Sequence, residues 1–447
     1  MPAMPLIMNT TEVESALVYF ENTYRDLCRR IELPHKTYEK RSCYALQIGK
    51  DHDRRKPAIL VIGGVHAREW GGPDIVVNFA GDLLRAYSRG KGLRYKKKTF
   101  PASDIKTIVE TRTVVVFPCV NPDGVEYSHT KEHLWRKNRN RANSGDREEK
   151  IGVDINRNYD FLWDFKKYFH PSVCKDGDPA SADPEEETYH GPHPFSEPET
   201  CNVKWLMDNF EFSLFLDLHS FDGDVLYSWG DDEDQSIDPA QNFANPAYDK
   251  KRGRGNDSYR EYIGLADYTI ATSIALQVSE AMKAARDRPY RPKQAFAMYP
   301  TCGTSDDYAF SRHMVEPHLA KTYGFTIEFN FGRDDDDGKF LITANPKVLE
   351  RTMTDVLPGL LAFCLAAEQT RLFADRGAPR ESSLVAPAMA QVERYRTGAG
   401  RTISRLIDAY ETVASVAGPE GKAARDSLLK AIRAAAERAA KRGVTSS

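Results

Sequence analysis

The chain has 447 residues, 62 Lys+Arg against 65 Asp+Glu for a formal net charge of -3, and 41% hydrophobic content. The charge balance excludes a nucleic-acid protein that works through a general basic field, and the apolar content excludes wholesale disorder. No apolar run reaches the roughly eighteen residues of a membrane-spanning helix, so none is expected. Seven scattered cysteines with no CxxC pair argue against a disulfide framework and against a cysteine-ligated zinc. The opening MPAMPLIMNTTEVESAL lacks the basic and apolar regions of a secretory leader, which leads to the expectation of free thiols in a reducing, cytoplasmic setting.

The first predicted element is a helix. Thr11 with Glu14 reads as a capping box, and Val13, Leu17, Phe20, Tyr24 and Leu27 recur at helical spacing. Four short apolar runs follow, the first two rich in β-branched residues: PAILVIGGV at 57–65, TRTVVVFPCV at 111–120, FSLFLDLHS at 212–220 and YGFTIEFNF at 323–331. They are too short for free-standing helices and alternate with helical stretches at 74–87, 260–285 and 347–369. A second capping box, Ser196 with Glu199, is expected to start a helix through Trp205 and Leu206. Strands apolar on both faces and separated by helices predict an α/β sheet covered on both sides, with its site beyond the carboxyl ends of the strands. The acidic runs Asp231–Asp234 and Asp334–Asp337 lack EF-hand spacing and read as solvated turns.

Composition changes near residue 376. RGAPRESSLVAPAMAQ reads as a linker over 376–390, separating a main domain at 1–375 from a helical extension at 391–447. Two Ala-rich amphipathic helices are predicted there, at about 402–416 and 420–442. Residues 380–447 carry 12 Lys+Arg and 7 Asp+Glu, and the pair is expected to pack on the main body or to mediate self-association.

His66 and Glu69 stand in GGVHAREWGG, directly after a predicted buried strand. Imidazole nitrogen and carboxylate oxygen both suit zinc, and a spacing of three lets them reach one point from a tight turn. Alone, this pair reads better as two surface polar residues. His219 ends the 212–219 strand, where Phe215, Asp217 and His219 share one face, and it supplies a third ligand of the His₂Glu kind. Glu328 lies inside the apolar YGFTIEFNF; a carboxylate there is costly unless paired or used, and beside a zinc-bound water it suits a general base. GVDINRNYD packs Asp154, Asn156 and Arg157 together, and an Arg beside an Asn offers a fork of donors to a carboxylate. LWRKNRNR adds Arg136. No HExxH, GxSxG, GxxxxGK[ST] or strand-linked GxGxxG occurs, which removes most other hydrolase and nucleotide-binding readings.

With HAREW, NPDGVEYSH, LWRK, GVDINRN, SEPE, HS, YPTCGTSDDY and FTIEFN in this order, the chain resembles the zinc carboxypeptidase family, typified by the pancreatic carboxypeptidases A and B, from about Thr11 to Gln369. The resemblance implies a mixed, mostly parallel eight-stranded sheet sandwiched between helices and one Zn²⁺ held by His66, Glu69 and His219. It makes Asp154 the carboxylate behind the first histidine, Arg136 the cation facing the oxyanion, and Glu328 the general base. Asn156 and Arg157 match the pair that binds the substrate's terminal carboxylate, Tyr299 the mobile tyrosine above it, and Arg68 an outer subsite. Asp306 falls at the floor of the pocket for the last side chain, where carboxypeptidases that remove Lys and Arg carry Asp. Phe221 stands where the family has a tyrosine, and neither a leader nor an inhibitory pro-segment is expected. The implied activity is removal of the C-terminal residue of peptides and proteins, with a basic preference. Two alternatives stand beside it: a zinc amidohydrolase of the same fold acting on cell-wall peptides or N-acyl amino acids, and a non-catalytic binding protein.

Overall fold

The computed structural model describes residues 7–50, 56–142, 144–145, 147–175, 177–330, 346–371, 410 and 426–432. The chain enters through α1 (Thr10–Thr23), β1 (Cys28–Glu32), β2 (Tyr44–Ile48) and β3 (Ala58–Gly63). Then come α2 (Gly72–Ser88), the ribbon β4 (Leu93–Tyr95) and β5 (Lys98–Phe100), α3 (Ala102–Thr111), β6 (Thr113–Phe117) and α4 (Pro122–Thr130). A long, mostly irregular stretch holding the short α5 (Phe165–Tyr168) leads to α6 (Pro198–Asn209), β7 (Phe212–His219) and β8 (Asp224–Tyr227). The last part runs through β9 (Asp234–Gln235), β10 (Glu261–Tyr262), α7 (Leu265–Arg286), β11 (Arg291–Gln294), α8 (Ser305–Val315), β12 (Tyr323–Glu328) and α9 (Pro346–Ala366).

Eight strands form one sheet in the order β1-β2-β6-β3-β7-β12-β8-β11. Its centre, β6-β3-β7-β12, is parallel, while β1, β2 and β8 join antiparallel to their inner neighbours. Every residue of β3 and β6 is buried, as their uninterrupted Val/Ile/Leu runs predict for strands covered on both faces. All four predicted strand runs are present, and so are the helical stretches at 74–87 and 347–369; the 260–285 stretch opens as β10 (Glu261–Tyr262) and turns helical only at Leu265. The parallel centre points the ends of β3, β7 and β12 to one edge, and there the chain places its ionisable groups.

Two N-termini differ from expectation. Asn9 caps α1, accepting from the Glu12 amide while the Glu12 carboxylate accepts from the Asn9 amide, so the box is Asn9/Glu12 rather than Thr11/Glu14. Asn at least matches Thr as a cap, and the helix begins at Thr10. Glu197 is the cap position of α6, with Pro198 at the first helical position; Ser196 Oγ donates to Glu197 Oε1, and Glu199 turns inward. The 231–234 run is not a solvated turn either. Asp231 and Asp232 are buried: Asp232 accepts from the amides of Gly253 and Glu233, and Asp231 lies 3.6 Å from Nε of the buried Arg252. A cation and backbone donors from the 252–253 loop draw the run inward. The 334–337 run, the 376–390 linker and most of the extension lie outside the described residues. Of the extension, Tyr410 is buried and donates to the Ser236 carbonyl, which sets that residue against the main body.

Two glycines fix how the site's walls sit on the sheet. A Cβ on Gly324 of β12 would lie 2.0 Å from the Asp306 carbonyl oxygen of α8, so α8 rides directly on the strand backbone. Gly303, at φ +62°, brings its backbone against Arg157, where a Cβ would lie 2.3 Å from the Arg157 carbonyl oxygen.

Candidate metal centre and substrate cleft

His66 follows the end of β3, Glu69 comes three residues on, and His219 is the last residue of the neighbouring β7. All three are buried. His66 Nδ1 lies 2.7 Å from Glu69 Oε1 and 3.0 Å from His219 Nδ1, and His219 Nδ1 lies 3.1 Å from Glu69 Oε2. Three donors sharing one zinc at tetrahedral angles sit about 3.3 Å apart, so the spacing fits. Among the described residues this is the one group of three metal-capable side chains that converges in this way. Burial alone would raise the Glu69 carboxyl, but His66 and His219 beside it hold it below its ordinary value. Glu69 is therefore held as a carboxylate at the shared point.

The outer face of each imidazole is held. His66 Nε2 is 3.1 Å from Asp154 Oδ1, and His219 Nε2 is 2.9 Å from Asp217 Oδ2. With a carboxylate oxygen close to each Nε2, both Nδ1 atoms lie at the shared point. Asp154 is fully buried; against the upward push of burial, Arg136 and His66 keep its carboxyl well below the usual range. Arg136 donates to Asp154 Oδ2 from Nε and Nη2 at 3.1 and 2.9 Å, and its Nη1 lies 3.9 Å from Glu69 Oε1. Asp217 was not singled out from sequence as a supporting group. Its signal was present, two residues before His219 on the same strand face. Ser305 completes that side, its Oγ donating to Asp217 and its amide to Asn156 Oδ1.

These groups open onto a cleft of about 290 Å³. Glu328 lines it from the end of β12, directly opposite His219 in the parallel register. Burial first, and then the Glu69 charge, push its carboxyl up to about 8; a cation at the three-ligand point would draw it down again. Arg157 lines the cleft and donates to the carbonyls of Pro179 and Asn156, with no carboxylate within 4 Å among the described residues. Tyr299 is 40% exposed at the rim, its ring centroid 6.0 Å from the Arg157 guanidinium carbon. Asp306, at the start of α8, lines the cleft with Thr326 Oγ1 donating to its Oδ2. Arg312, the obvious neutralising neighbour, is engaged by Asp208 and the Met207 carbonyl instead. Arg68 also lines the cleft, with Nη1 on both Glu187 carboxylate oxygens at 2.7 and 2.8 Å. Every residue singled out from sequence thus meets at one edge of the sheet.

Two imidazoles and one carboxylate, leaving an open position toward a cleft, make a donor set that suits zinc. The zinc carboxypeptidase family profile matches residues 13–358. Carboxypeptidase A4 of Mus musculus is 30% identical over 324 residues, covering 72% of this chain and 61% of that protein. Carboxypeptidase B of Homo sapiens is 29% identical over 294 residues, 65% of this chain and 55% of that protein. The chain thus spans about six-tenths of the length of such relatives. Among solved structures, carboxypeptidase A from Helicoverpa armigera superposes with a TM-score of 0.59 at 20% identity over 83% of this chain and 75% of that one. Bovine thrombin-activatable fibrinolysis inhibitor gives 0.57 at 22% identity over 82% and 98%. At those identities the structures speak for the fold, and the profile match speaks for descent: the chain belongs to the zinc carboxypeptidase family.

Proposed function

We propose that the protein is a zinc-dependent carboxypeptidase that removes the C-terminal residue of peptides, preferring Lys and Arg. The observation that carries this reading is the buried Arg157, with no carboxylate within 4 Å among the described residues, facing the same cleft as the His66-Glu69-His219 cluster. A substrate's terminal carboxylate held by Arg157 and Asn156 puts its last peptide bond, rather than an internal one, beside the cluster. Zinc bound by the three ligands supplies Lewis acidity and a water acidic enough to ionise near neutral pH. Glu328 takes the proton of the attacking water and returns it to the departing amine. Arg136, oriented by Asp154, faces the oxyanion, and Tyr299 closes over the terminal carboxylate. The scattered cysteines, all free, support a reducing compartment.

The test compares one peptide with a free and with an amidated C-terminus. Wild-type protein should cleave only the free form, and Arg157→Ala should lose roughly 10- to 100-fold in kcat/KM on it. Equal cleavage of both forms would remove the exopeptidase reading and favour the amidohydrolase alternative, which cell-wall fragments and acyl amino acids then probe.

The basic preference rests on Asp306. A cleft-facing carboxylate with no Lys or Arg within 4 Å among the described residues is compensated by an incoming cation and left bare by a Leu side chain. Wild-type kcat/KM should favour peptides ending in Arg over Leu, and Asp306→Ile should lower that ratio by roughly 10²-fold. A ratio that the substitution leaves unchanged assigns the pocket floor to another group.

A further inference from the structure

Behind the wall that carries Arg136 and Asp154, two carboxyl groups from the start of α6 converge on one amide. Asn138 is fully buried, and its Nδ2 donates to Glu197 Oε2 at 2.7 Å and to Glu199 Oε2 at 3.0 Å. Its Oδ1 accepts from the Val153 amide at 2.9 Å, and its own amide donates to the Val153 carbonyl at 3.1 Å. Asn140 Nδ2 adds contacts to both oxygens of Glu197 at 3.1 and 2.9 Å. Asn138 therefore fastens residues 138 and 153 together, two residues beyond Arg136 and one before Asp154. The Arg136–Asp154 pair bridges the same two segments on the cleft side.

Glu197 and Glu199 are both fully buried, and no Lys or Arg lies within 4 Å of either among the described residues. Two ionised carboxylates at this distance from one amide, with no cation, would be strongly disfavoured in the core. We infer that Glu197 and Glu199 share one proton, and that in this state they hold Asn138 as a clamp that positions Arg136 and Asp154. This positioning role rests on the function proposed above, whereas the shared proton does not. Burial, and then Glu197, push the Glu199 carboxyl up to about 8, and burial also raises Glu197. The other ionisable groups facing the pair are few. Asp123 bears on Glu199 but is itself paired with Arg41, and His193 bears on Glu197. Tyr38 and Cys201 also feel the pair, as do Cys43 and Tyr159 through Glu199 and Tyr189 through Glu197; all five are raised, burial first, and stay neutral below pH 8.

An acid whose folded pKa lies above its unfolded value of 4.5 adds stability that is complete below 4.5 and lost as pH rises to about 8. Glu199→Gln, the neutral isostere, removes that slope. The experiment measures Tm and kcat/KM of zinc-loaded wild type and Glu199→Gln from pH 5 to 9, on a peptide ending in Arg. The Tm of the variant relative to wild type should climb by several degrees between pH 5 and 8. Below pH 7 the two should agree in kcat/KM within about twofold, and above pH 8 the variant should retain activity that wild type loses. A Tm difference independent of pH, or failure of Glu199→Gln to fold, overturns the shared proton. A pH-dependent Tm difference with coincident pH–rate profiles overturns the positioning role. Absence of wild-type turnover would sink the carboxypeptidase reading and the positioning role with it, while the Tm series would still decide the proton.

Discussion

Glu328→Gln is expected to lower kcat by roughly 10³-fold while bound zinc stays at about one per chain and peptide affinity stays within a few-fold of wild type. The reason is double use. In the proposed mechanism the one carboxylate at the end of β12 serves both the attacking water and the departing amine, so the amide variant would lose proton removal and proton return together. The side chain keeps its size, and the parallel pairing of β12 with β7, which sets residue 328 opposite His219, is a backbone property that the substitution leaves alone. Single-turnover kinetics with metal analysis of the same sample separate the outcomes. Near-normal turnover would place the base elsewhere; lost zinc would mean that Glu328 supports the ligands rather than the proton.

His219→Ala should have an effect as large by a different route. It removes one of three metal donors and leaves Asp217, fully buried behind it, facing a void in place of an imidazole. Zinc content should fall to a small fraction of one per chain, and activity should drop by about 10³-fold or more. Chelation of the wild type should reproduce the activity loss and lower Tm, because an ion that binds only the folded chain stabilises it by mass action. Added zinc should restore the chelated wild type and leave His219→Ala inactive at the same concentration. A fully active, metal-free wild type would exclude the metal chemistry altogether.

What was legible in advance follows from where the physics is local. Buried parallel strands announce themselves as short, nearly continuous apolar runs, β-branched in β3 and β6 and Phe/Leu-rich in β7, so β3, β6, β7 and β12 could be placed, and with them His66, His219 and Glu328 at or just past strand ends. Helix starts were less legible because a cap is decided by which polar side chain first meets the free amides: Asn9 won over Thr11, and Glu199 left the helix end for Asn138. Asp231 and Asp232 were misread for a longer-range reason. Their partners, Arg252 and the Gly253 amide, come from about twenty residues downstream, and nothing in an acidic run announces a distant cation. Asp217 was visible as a strand-face neighbour of His219, yet its contact depends on the imidazole's orientation, which periodicity does not carry. The same holds for Glu187 on Arg68, since pairing across a long irregular stretch leaves no spacing signature.

The close approach of Gly324 to the Asp306 carbonyl has an implication for how this pocket can be altered. With strand and helix backbones in contact, α8 has no room to sink deeper and no side chain between the two to shorten or lengthen. Arg157 is likewise seated by the Gly303 backbone. The distance from Arg157 to residue 306 across the cleft is therefore set by main chain, and the side chain at 306 is the adjustable end of it. If the proposed function holds, exchanges there would retune charge and depth one side chain at a time without moving the His66-Glu69-His219 cluster, which would make selectivity and turnover separable targets for engineering in this scaffold.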